Sequence, residues 1–112
     1  MNKYDEVASI SRREVAEALA SQDASRVCRA LVSISFYDED WRWVQETCLS
    51  YLADSDPQIS GVAATCLGHV ARIRNVLDKE KVLAALSARA SEPEIAARIA
   101  DAIDDIEMFV RT

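Results

Sequence analysis

The chain has 112 residues, a formal net charge of −6 and 50% hydrophobic residues. That length suits one domain, residues 1–112, with a core of its own, and leaves no room for two. The acid excess argues against direct binding to nucleic acid or an anionic membrane, both of which select lysine and arginine; a basic protein partner fits it better.

Only two glycines and two prolines are present, so turns are few, and alanine, the best helix former, is abundant. The opening MNKYDEVASISRREV lacks the apolar run of a signal peptide. No stretch approaches the roughly 18 apolar residues of a membrane span, so a cytoplasmic location is expected.

Helix start signals recur along the chain. Ser11 and Glu14 form the S-x-x-E of a capping box, with Ile10 and Val15 at the two positions of a hydrophobic staple. Asp23 can cap a second helix with Val27, Leu31 and Ile34 on one face. Asp40 can cap a third that aligns Trp41, Val44, Cys48 and Leu52. Asp56 followed by Pro57 is a cap with proline at the first helical position. That fourth helix is predicted to run to about Arg72, burying Ile59, Ala63, Cys66, Leu67 and Val70. A fifth starts near Asp78 with Val82, Leu83 and Leu86. Ser91 with Glu94 reads as a second capping box with a proline inside, opening a sixth helix along Ile95, Ile99, Ile103 and Ile106. No segment has the alternation of a strand, so the expected fold class is all-α.

Two stretches of the chain echo each other. DSDPQISGVAATCLGHVARI (Asp54 to Ile73) and SEPEIAARIADAIDDIEMF (Ser91 to Phe109) match when laid over each other from Ser55 and Ser91. The offset of 36 residues is the length of a helix–turn–helix unit. Another step back puts Val27, Leu31 and Ile34 under Ala63, Leu67 and Val70. Such periods indicate a short α-solenoid, here of three antiparallel hairpins and six helices, in which stacking supplies the core. Gly61, Ala64 and Gly68 lie on the face of the fourth helix opposite Ile59, Ala63 and Cys66. Glycine inside a helix costs up to about 1 kcal/mol relative to alanine, so two on one side suggest a close neighbouring backbone, with tolerated surface glycines as the alternative.

The stretch VQETCLSYLADSDPQISGVAATCLGHVARI resembles a HEAT-type repeat: a helix with a leucine pair, a D-x-D-P turn, then a helix of form I-x-x-x-A-x-x-x-L-G. Residues 78–109 are similar to a degenerate second copy and residues 11–37 to a fainter first. Ser60 stands where such repeats often carry arginine, which departs from their usual charge ladder. The resemblance implies a curved stack of hairpins that binds proteins.

The catalytic inventory is thin. No H-E-x-x-H, G-x-S-x-G or glycine-rich phosphate loop occurs, and the single histidine, His69, falls on a flank with Thr65 and Arg72 where a satisfied, partly exposed role is expected. Cys28, Cys48 and Cys66 lie in apolar stripes without a C-x-x-C spacing, where cysteine acts as a small hydrophobe. They are expected to be free, with a disulfide or metal role as the alternative. No metal, no cofactor and no enzymatic activity is expected.

Two acidic clusters are more informative. Asp101, Asp104, Asp105 and Glu107 occupy the half of the sixth helix where the dipole prefers cations, and Asp101 and Asp105 form a like-charge i, i+4 pair. With Glu94 they make one stripe, interrupted by Arg98. Local stability does not select this arrangement; a tolerant solvated face and a surface kept acidic for a basic partner are the two explanations. The second cluster, FYDEDWRW, sets Tyr37, Asp38, Glu39 and Asp40 beside Trp43. Trp41 falls on the apolar stripe, whereas Trp43 falls off it and is expected to be largely exposed, as at an interface hot spot, or else packed on the first hairpin.

In size, charge and repeat type the chain resembles the small acidic immunity proteins of bacterial contact-dependent inhibition and other polymorphic toxin systems. That resemblance implies a cytoplasmic inhibitor that covers a basic toxin domain, a nuclease, with Tyr37, Asp38, Glu39, Asp40, Trp43, Glu94, Asp101, Asp104 and Asp105 as candidate contacts. A HEAT-like adaptor or assembly factor is the alternative reading; a small enzyme subunit is disfavoured by the missing chemistry.

Overall fold

The computed structural model describes residues 8–111; residues 1–7, where no leader was expected, lie outside that range. Six helices follow one another: α1 (Arg12–Ala20), α2 (Ala24–Tyr37), α3 (Trp41–Leu52), α4 (Pro57–Arg74), α5 (Lys79–Ala88) and α6 (Ala96–Phe109). No strand occurs among the described residues.

Four of the six starts are made as the local sequence dictates. Ser11 and Glu14 satisfy each other's backbone N–H groups in a complete capping box. Asp23, Asp40 and Asp56 accept backbone N–H bonds in the first turns of α2, α3 and α4, and Pro57 opens α4. α5 also starts after Asp78, but the Asp78 side chain caps nothing. It is occupied by Gln45 of α3, which is fully buried: Gln45 Oε1 accepts the Asp78 N–H at 2.8 Å and Nε2 donates to Asp78 Oδ2 at 2.7 Å. Buried amides need such partners, and this one ties α3 to the start of α5.

The sixth start differs from the expected capping box. α6 begins at Ala96, with Ile95 at the cap position and no side-chain cap bond. Ser91, Pro93 and Glu94 instead lie in turns that precede the helix. Arg89 is the cause. Its Nη1 donates to the carbonyls of Leu52 and Asp54 at the α3–α4 corner, while Nη2 pairs with Glu92 at 2.6 Å. The backbone around Glu92 is thereby pinned as a turn, and the helix starts about one turn later than the S-x-x-E pattern implies.

Helices pair as α1–α2, α3–α4 and α5–α6, and α4 packs against both α2 and α6. α2, α4 and α6 therefore form one layer, with α1, α3 and α5 on its other side. The 36-residue echo is the reason these three helices correspond: Ile59 and Ile95, Ala63 and Ile99, and Val70 and Ile106 are all buried, as are Val27, Leu31 and Ile34 one unit earlier. α4, in the middle, is buried over most of its length. The glycines on its far face both meet α6, Gly68 at its backbone as expected, Gly61 at side chains instead. A Cβ at Gly68 would stand 3.3 Å from the Ala102 Cα, and one at Gly61 would stand 2.9 Å from the Arg98 Cδ. With three hairpins the molecule measures 31 × 28 × 28 Å, so it ends before the elongated superhelix of longer arrays develops.

The three cysteines are buried and unbridged. Cys48 shares a hydrogen bond with Cys66, and that bond together with burial pushes its thiol well above the usual value.

Candidate functional site

The α2–α3 corner is organised by a residue of α1. Arg12 Nε donates to Asp38 Oδ2 at 2.7 Å and Nη2 to Oδ1 at 3.2 Å, while Nη2 lies 3.8 Å from Asp40. The same guanidinium sits 3.6 Å over the Trp43 ring. Asp38 also ends α2, accepts the Asp40 N–H at 2.9 Å, and offers its carbonyl to Arg74 Nη2 at 3.2 Å. The Arg12 hydrogen bond holds the Asp38 carboxyl below its ordinary range, against the opposing effect of partial burial. Asp38 and Asp40 are thus engaged within the fold. Glu39 and Tyr37 are exposed.

Trp43 is half-buried against the core and stacked with Arg12, so it packs on the first hairpin instead of standing free. Trp43→Ala is accordingly expected to lower the stability by about 1–2 kcal/mol through lost packing and the lost cation–π contact. Chemical denaturation followed by circular dichroism measures this; an unchanged midpoint would return Trp43 to the free surface.

The acids of α6 form one wall of a groove of about 330 Å³ between α4 and α6. Thr65, His69 and Arg72 line it from α4, and Arg98, Asp101, Asp104 and Asp105 from α6. Arg98 reaches over Gly61 and donates to Thr65 Oγ1 at 3.2 Å, a path that a larger residue at Gly61 would obstruct. Arg72 lies 3.5 Å from Asp105, and Lys79 of α5 lies 3.4 Å from Glu107. These cross-helix cations answer part of the electrostatic problem posed by acids at the negative end of α6. Asp101 and Asp104 receive no such answer. Both are exposed, and neither joins an ion pair among the described residues. Glu94 is exposed in the turn before α6, so the helical part of the stripe reduces to Asp101, Asp104, Asp105 and Glu107.

His69 differs from its expected place. It is only 4% exposed, stacked on Phe36 of α2 with ring centroids 4.8 Å apart, and its Nδ1 lies 3.5 Å from Ser35 Oγ. Phe36 in turn lies 6.4 Å from the Tyr37 ring. This ring contact across α2 and α4 connects the corner cluster to the α4–α6 groove.

Sequence reasoning missed Arg12, which lies 26 positions from Asp38, and Gln45, which looks like any helix-surface polar residue. Position in the helical wheel was an available signal for Gln45, since it adjoins Val44 and Cys48 on the buried side. Nothing local marked Arg12.

No protein-family model matches the chain, and comparison with curated proteins finds no match. Among solved structures, a chain of the crystal structure of a CDI complex from Cupriavidus taiwanensis LMG 19424 has the same fold, with a TM-score of 0.86. The two sequences are 30% identical, and the alignment covers 97% of this chain and 98% of that one. At that identity over almost the whole of both molecules, this chain belongs to the family of the Cupriavidus taiwanensis CDI-complex chain.

Proposed function

We propose that this protein is a cytoplasmic immunity protein of contact-dependent inhibition, a non-enzymatic inhibitor that binds and neutralises a basic toxin domain with nuclease activity. The near full-length match to a chain of a CDI complex carries this reading. Such a complex joins a toxin to its inhibitor, and three features favour the inhibitor's part. The net charge of −6 suits a cationic toxin cleft. The exposed Asp101 and Asp104 offer charge that the fold itself does not use. The one histidine is packed between helices, away from the open, activated geometry of a general base. We read the stack as HEAT-like, a scaffold whose layered helices present a broad face to a protein partner, with candidate contacts from Tyr37, Asp38, Glu39, Asp40, Trp43, Glu94, Asp101, Asp104 and Asp105.

The test is co-expression with the toxin-like C-terminal fragment encoded by the neighbouring gene. Cells carrying both are expected to grow, and the two proteins to co-purify as a stable complex. Absence of both protection and complex would defeat the immunity reading in favour of a HEAT-like adaptor.

A further inference from the structure

Among the described residues, three large apolar side chains are exposed: Tyr37 at 52%, Ile73 at 40% and Met108 at 68%. Each stands at the last or next-to-last position of α2, α4 or α6. Those three helices run parallel. Near their starts, the Cys28 thiol of α2 meets the Gln58 carbonyl of α4, and Gly61 of α4 meets Ile95 and Arg98. Near their ends, Arg74 reaches the Asp38 carbonyl and Arg72 reaches Asp105. The C-terminal ends of the layer therefore share one edge of the molecule, and all three apolar residues lie on it.

Ring contacts link Tyr37 of α2 to α4. Tyr37 adjoins Phe36, which stacks on His69. Ile73 follows His69 by one turn on the same face of α4, and Met108 follows Asp104 by one turn on α6. Single scattered apolar residues on a surface need no explanation. Three gathered on one edge, one from each repeated helix, form a patch.

The charge around the patch has a sign. Arg12, Arg72 and Lys79 are committed to Asp38 and Asp40, to Asp105 and to Glu107. Arg74 donates to the Asp38 carbonyl. Arg42, in the first turn of α3, and Arg111, past the end of α6, are exposed cations outside these pairs. Against them stand the exposed acids Glu39, Asp101 and Asp104, while the negative dipole ends of α2, α4 and α6 are offset by the starts of α1, α3 and α5 at the same edge.

We infer that this edge seats the toxin domain, with Tyr37, Ile73 and Met108 as apolar anchors for a partner surface whose apolar centre is ringed by lysine or arginine. The inference rests on the immunity reading and adds to it the face that binds. Apolar and aromatic anchors inside a charged rim are the usual composition of the energetically dominant part of an interface.

Binding of the purified toxin domain is measured by surface plasmon resonance for Tyr37→Ala, Ile73→Ser and Met108→Ala, and for Ser50→Arg and Ala84→Arg on the exposed faces of α3 and α5. The edge variants are each expected to weaken binding about ten-fold or more, chiefly by faster dissociation, and the α3 and α5 variants to bind like the parent. Hydrogen exchange of the unmodified complex covers the case of a variant that folds poorly: the last turns of α2, α4 and α6 are expected to gain protection. If the complex forms but Ser50→Arg or Ala84→Arg disrupts it while the edge variants do not, the inference is overturned and the immunity function stands. The same holds if those last turns gain no protection. A free chain that dimerises, and that Met108→Asp makes monomeric without altering toxin binding, would assign the edge to a second copy of this chain and overturn it as well. If the parent protein neither protects nor binds, the immunity reading fails and the inference falls with it.

Discussion

Leu67→Ala is expected to destabilise the fold by about 3–4 kcal/mol. Leu67 is fully buried in α4, the helix that touches α2, α3 and α6 at once. Neighbours held from three sides cannot collapse into the vacated space, which places the substitution toward the costly end for leucine truncations. A domain of this length has roughly 6–15 kcal/mol in total, so the loss is a large share. Urea denaturation monitored at 222 nm measures it, and a cost below about 1 kcal/mol would show that α4 is not the central packing element. Gly68→Val on the same helix probes the opposite error. The Asp105 side chain could swing away from a new Cβ, but the Ala102 backbone at 3.3 Å could not. The added methyls are expected to displace α6 at a cost of about 2–3 kcal/mol, whereas Gly68→Ala, whose lone Cβ meets the same backbone, is expected to cost less, with its better helix propensity offsetting part of the strain.

Asp101→Lys combined with Asp104→Lys is expected to slow association with the toxin domain about ten-fold at low salt. The difference from the parent is expected to shrink as salt rises, because the screening length falls from about 10 Å at 0.1 M to about 3 Å at 1 M. Asp105 is left alone because it is paired with Arg72. The stability change has the other sign. Lysines in the second half of α6 suit the helix dipole better than aspartates do, by some tenths of a kcal/mol. A slower-binding protein that melts no earlier than the parent is therefore the signature of acids retained for a partner. Stopped-flow association across a salt series, with a thermal melt, measures both. An association rate that stays at the parental value would remove these two residues from the interface.

The helices themselves were legible because the information is local. A cap residue bonds within its own first turn, and apolar spacing at 3.6 residues acts within one helix, so Ser11, Asp23, Asp40 and Asp56 could be read in place. The 36-residue echo went further: corresponding helices bury corresponding positions, and the middle helix meets its neighbour through glycine. Beyond that, local signals were outvoted by distant partners. Ser91 and Glu94 carry the pattern of a capping box, yet the Arg89 contacts to the α3–α4 corner turn that backbone into something else. Asp78 has the chemistry of a cap, yet Gln45 holds it.

The candidate site divides in the same way. The sequence by itself determined that acids and aromatics occur in two clusters, since composition and helical spacing are one-dimensional properties. Only the tertiary structure decided which of those groups remain available to a partner. Arg12 takes up Asp38, Asp40 and the face of Trp43 from 26 to 31 positions away, and Arg72 takes up Asp105 from 33. Asp101 and Asp104 are left outside such pairs among the described residues. The gathering of Tyr37, Ile73 and Met108 on one edge is likewise invisible along the chain, because it follows from three helices lying parallel and ending together. Ion pairs and surface patches depend on distances across the fold, and those distances exist only once the hairpins have stacked.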